Sequence, residues 1–112
     1  MKTNGVIERK LALLDEQVTR LTNHMADRSL EGFREDWAAR CVAERALQVA
    51  IEIVIDIAER VIAIKGAGPV ESATAAIERL VALGILASAD PYRDMVRFRN
   101  LIVHEYETID SA

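Results

Sequence analysis

Apolar residues recur along this chain at three- and four-residue steps, and no stretch alternates with the two-residue period of a strand. The longer period places them on one face of an α-helix. Val6, Leu13, Leu14, Val18, Leu21 and Met25 follow it and predict a first helix over about residues 6–25. Asp27 and Ser29 then offer a turn and an N-cap, since a short side-chain oxygen can accept from the free amides at a helix start. A long second helix is expected from about Leu30 to Ile64, with a kink or pause between Gly32 and Trp37. In its second half Glu44, Gln48, Glu52 and Asp56 stand at strict four-residue steps, and nearly everything else from Ala46 to Ile64 is apolar. Such a helix is buried round most of its circumference, and its polar stripe faces solvent, a site or a partner.

The segment Lys65-Gly66-Ala67-Gly68-Pro69 ends that helix: Gly66 can supply a left-handed C-cap and Pro69 blocks continuation. A third helix is expected from about Val70 to Leu83, closed by Gly84, with Ile85 placed for the apolar contact that accompanies such caps. Asp90 as N-cap and Pro91 at the first helical position predict a fourth, running to about Glu105. On that helix Phe98 and Leu101 are expected to face the core, and Met95, Ile102 and Val103 to face elsewhere. The pattern is that of an all-α protein, an antiparallel four-helix bundle with short loops. A length of 112 residues suits a single domain over residues 1–112.

Composition narrows the classes. With 51% hydrophobic and 29% charged residues, the chain reads as globular rather than disordered. The net charge of −4 argues against a general nucleic-acid binder, but local charge decides phosphate contact. No signal-peptide pattern is visible. The longest apolar stretch, Ile53 to Ile64, is interrupted by Asp56, Glu59 and Arg60 and falls short of the about 20 residues a membrane span needs. Cys41 is the only cysteine, so no internal disulfide is expected, and it reads as a small core residue. These features predict a cytoplasmic protein without membrane attachment. His24, among polar neighbours near a helix end, reads as surface. His, Cys and carboxylates do not cluster at ligand spacing, so no metal or other cofactor is predicted.

The chemistry-bearing segment runs from Arg93 to Tyr106. At about 100° per residue, Arg93, Arg97, Asn100 and His104 form one polar, mostly basic stripe. Arg99 and Tyr106, two turns apart, line up on another face. An arginine on an apolar face needs a partner. That partner could be an internal carboxylate (Glu52 or Asp56), a second subunit, or a phosphate, whose geometry suits a guanidinium. A histidine transfers protons both ways near neutral pH, and Asn100, one turn before His104, could orient the ring. Together these are parts for phosphodiester chemistry without a metal. The plainer reading is a helix-end histidine and a structural ion pair.

Arg99-Asn100-Leu101-Ile102-Val103-His104-Glu105-Tyr106 resembles the R-x-x-x-x-H-x-Y signature of HepT-like toxins of the HEPN class. The stretch Glu44 to Glu52 is similar to that family's long second helix, and Leu83-Gly84-Ile85-Leu86 to the turn before its motif helix. The resemblance implies a HEPN-type bundle that works as a homodimer, with arginine and histidine of two protomers round one cleft. It implies a metal-independent endoribonuclease in which Arg99 binds the scissile phosphate, His104 is the general acid/base, and Asn100 supports them. It further implies a partner, an MNT-type nucleotidyltransferase antitoxin, able to add AMP to Tyr106. Family members often continue with another helix beyond the motif. Here the sequence stops at Ser111-Ala112, so the expectation is either a naturally short copy or a truncated fifth helix. The competing expectation is a non-catalytic helical dimer that positions a nucleotidyltransferase or its substrate.

Overall fold

In the computed structural model the backbone is described for residues 5–111 and the side chains for residues 5–105. Among these residues there are five helices and no strand: α1 (Gly5–Met25), α2 (Leu30–Glu35), α3 (Trp37–Ile64), α4 (Ala73–Ala82) and α5 (Tyr92–Ser111). The expected pause in the second helix is a full break. Asp36 takes an extended conformation, and its amide donates to Phe33 O at 3.2 Å, ending α2. Its Oδ1 accepts from the Ala39 amide at 2.9 Å, starting α3. That amide holds the Asp36 carboxyl below its usual pKa, and Arg28, at 3.2 Å from Oδ2, adds to the effect. The fifth helix of the fold therefore arises at Asp36. Beyond the motif, α5 simply continues to Ser111.

α3 is the central element and packs against each of the others, while α4 also packs against α5. α1 lies antiparallel to it: Lys10 pairs with Asp56 near one end, and His24 Nε2 sits 3.3 Å from Ala39 O near the other. α5 is antiparallel too, since Tyr92 shares a cavity with Ile57 and Val61 while Arg99 meets Glu52. The core gathers at the C-terminal half of α3, where Ile51, Ile55, Ala58, Val61 and Ile62 meet Ile7, Ala76, Ile77, Leu80 and Val96. Towards its N-terminus α3 buries only alanines, Ala39, Ala43 and Ala50, so little apolar area leaves water there.

Both glycine caps form as expected. Gly66 at φ 66° and Gly84 at φ 75° let the chain turn back, with Ala67 N bonded to Ile62 O and Ile85 N to Leu80 O. Two helix starts differ from expectation. α4 begins at Ala73 rather than near Val70, because Ser72 Oγ accepts from the Ala75 amide at 3.0 Å and caps the helix there. α5 begins at Tyr92, after Pro91, and Asp90 does not cap it: the Arg93 amide goes to Ala89 O, and the Asp90 amide to Ser88 Oγ.

The inward arc of α5 also differs. Val96 and Ile102 are buried and Met95 and Phe98 pack on the core, while Leu101 is 62% exposed. α3 and α4 approach α5 from the side that carries Met95 and Ile102, which turns Leu101 outward. That rotation sets the surroundings of every candidate residue on the helix.

Candidate functional site

Arg99 follows Phe98 onto the inward side of α5, and its side chain is 24% exposed. Of the two carboxylates expected as partners, Glu52 takes it: Arg99 Nη1 lies 3.2 Å from Glu52 Oε1. Asp56, one turn further along α3, is engaged by Lys10 and by Arg60. Lys10 is the main cause of the lowered pKa of Asp56, and Arg60 assists against the opposing effect of partial burial. The Arg99 Nε is shut off from solvent without a hydrogen-bond partner, as is Gln48 Oε1 one turn before Glu52. A guanidinium carries five N–H donors, so the single contact to Glu52 leaves donors for another anion.

His104 is exposed near the far end of the described side chains. Five residues of helix set it about 140° round the axis and about 7.5 Å along it from Arg99. One chain therefore does not turn the two onto the same side. Asn100 does share a side with His104, and it lines a shallow groove of about 350 Å³ between α4 and α5 together with Thr74, Arg93, Val96, Arg97 and Leu101. The basic stripe expected from the spacing is thus present at the surface. Tyr106 stands two residues beyond His104, and its side chain lies outside the described residues.

The polar stripe of α3 is no plain solvated face. Gln48, Glu52 and Asp56 line a groove of about 620 Å³ with Arg45 and Glu59. The groove reaches the candidate site through Glu52. Two smaller expectations need correcting. His24 is half-buried by its contact with Ala39, and Cys41 is half-buried in a groove with Leu21, His24 and Val42 rather than in the core. The sparse cover over the N-terminal half of α3 explains the position of Cys41. Among the described residues no group of three or more His, Cys, Asp or Glu could hold a metal ion, and no helix is long and apolar enough to cross a membrane.

A helical bundle of this order, with an arginine turned inward and a histidine five residues on along the last helix, has the architecture of a HEPN domain. The chain matches the family described as Ribonuclease HepT-like over residues 3–112, and it belongs to that family. Searches of the curated proteins and of the solved structures gave no match.

Proposed function

We propose that the protein is the endoribonuclease toxin of a toxin–antitoxin pair, with Arg99 and His104 as its catalytic residues. The observation that carries this reading is the state of Arg99: an arginine of a ribonuclease-family chain, held in place by one carboxylate contact and retaining donors for a phosphate. In the proposed reaction the 2′-hydroxyl of RNA attacks the adjacent phosphorus. His104 takes the hydroxyl proton as the new P–O bond forms, the departing 5′-oxygen takes a proton from solvent as its bond to phosphorus breaks, and His104 then returns its proton to solvent. The products are a cyclic phosphate and a free 5′-hydroxyl. Arg99 binds the phosphate and stabilises its developing charge, and Asn100 orients the imidazole. No step needs a metal. Cleavage of RNA by the purified protein should survive chelator and leave cyclic phosphate ends. Loss of activity in chelator with recovery in magnesium would contradict the reaction.

The cleft of this reading is shared by two copies. One chain's Arg99 and His104 point about 140° apart, so a small phosphate is enclosed only when a second α5 supplies the other wall. Leu101, exposed on α5, is available to that contact. Light scattering at tens of micromolar should give a dimer; a strict monomer would remove the shared cleft.

The proposed antitoxin is a nucleotidyltransferase of the MNT type that adds AMP to Tyr106. A phosphodiester charge and an adenosine placed there, two residues beyond His104, would exclude RNA from the cleft. Coexpression of the pair should add the mass of AMP to the wild-type chain and none to Tyr106→Phe, which should remain toxic. Neutralised toxicity with no added mass would mean that the partner inhibits by binding alone.

A second reading has its own observation. Glu52 already pairs with Arg99, as in a structural ion pair, and a non-catalytic dimer that positions a nucleotidyltransferase or its substrate would need no more. Absence of any cleavage by the pure dimer would favour it.

A further inference from the structure

Apart from Asn100, the lining of the groove between α4 and α5 has no part in the reaction just proposed, and the groove ends about one turn of α5 before His104. Arg93, Arg97, Asn100 and His104 lie within about 60° of arc and span about 16 Å along α5. Thr74 of α4 forms the opposite wall, and Leu101 gives it a dry flank. Among the described residues the Arg93 guanidinium has no ion-pair or hydrogen-bond partner. Arg97 reaches Asp94 only at 3.5 Å, and both side chains are more than two-thirds exposed. A pair that long and that wet contributes little, so Arg97 can exchange Asp94 for another anion.

These positions are unusual in a chain of net charge −4. Two weakly engaged arginines, a carboxamide and a hydroxyl line one channel, and none of them supports the core. Each suits a phosphate: the guanidinium by its fork of donors, the amide and hydroxyl by single hydrogen bonds. The length fits a polymer rather than a lone anion. At about 3.4 Å per nucleotide, the rise in a stacked strand, 16 Å corresponds to about five nucleotides. The groove is shallow and open, which suits an unpaired strand whose bases face away from the protein.

Building on the ribonuclease reading of Arg99 and His104, we infer that this groove is a substrate subsite. Arg93 and Arg97 hold successive backbone phosphates of single-stranded RNA on one side of the scissile bond and lead the strand to His104. The contacts are to phosphates, so the subsite adds affinity and direction without sequence preference. Specificity would then come from what presents an unpaired strand, not from the bases lying in this groove.

The test measures binding by fluorescence anisotropy, using His104→Ala protein to keep the RNA whole and a labelled, mixed-sequence single strand long enough to span the groove. Each arginine that holds a phosphate displaces counterions, so the plot of log K against log salt should flatten by about 0.7 for Arg93→Ala and again for Arg97→Ala. Arg93→Lys should keep the slope, because the charge is kept. Arg34→Ala, on α2, removes a surface charge away from the groove and should change the slope far less. An unchanged slope in the Arg93→Ala/Arg97→Ala protein overturns the inference, as does an equal loss in Arg34→Ala. If the slopes behave as stated but the wild-type protein cleaves no RNA, the groove stands as an RNA-binding site and the ribonuclease reading falls. If RNA is cleaved and the slopes do not move, the reverse holds.

Discussion

Replacing His104 by alanine should lower the rate of RNA cleavage by about 10² to 10⁴-fold, the usual contribution of a general acid/base. The loss should come without loss of fold. His104 is exposed and lies outside the core, and surface substitutions of this kind usually change stability by less than about 0.5 kcal/mol. The comparison is made on purified dimers, following cyclic phosphate ends over time and the urea midpoint in parallel. In cells, the substitution should abolish toxicity at equal protein level. A His104→Ala chain that cleaves at the wild-type rate would eliminate the proposed proton transfer.

What could be read from the sequence, and what could not, divides along physical lines. Helix periodicity located every long element, because an amphipathic face repeats whatever it packs against. The glycine ends were equally legible, since Gly66 and Gly84 answer a local need for positive φ. The break at Asp36 was visible only as a pause: an aspartate three residues before the Ala39 amide is an N-cap signal, and it competes with the helix-forming residues on both sides. The same competition decided α4 at Ser72. The rotation of α5 was not legible. Leu101 and Ile102 are neighbours of equal hydrophobicity, and only the positions of α3 and α4 decide which is buried. Arg99 shows both cases. That it needed a partner followed from its apolar face, and Glu52 and Asp56 were the available carboxylates. The choice between them depended on Lys10, which occupies Asp56 from a helix more than forty residues away in the chain.

Arg99→Ala should reduce cleavage by about 10² to 10³-fold, as removal of a preorganised donor to a developing oxyanion does. Arg99→Lys should recover only part of this, because an ammonium keeps the charge but cannot donate in parallel to two phosphate oxygens. Stability should move in the opposite proportion. Glu52 is half-exposed, so leaving it unpaired costs less than about 1 kcal/mol, and the buried, unpartnered Nε of Arg99 disappears with the substitution. Truncation thus weakens one solvated ion pair and removes one unsatisfied donor, a small net change in the urea midpoint. A large fall in rate beside a small shift in midpoint would mark Arg99 as a residue that touches substrate. Glu52→Gln supplies the contrast. It removes the charge that fixes the guanidinium from the α3 side while leaving all the arginine's donors, so it should lower cleavage far less than Arg99→Ala. Were Arg99 only the cation of a structural pair, both substitutions would shift the midpoint by similar small amounts and leave cleavage untouched, and the assignment of the scissile phosphate to Arg99 would be lost.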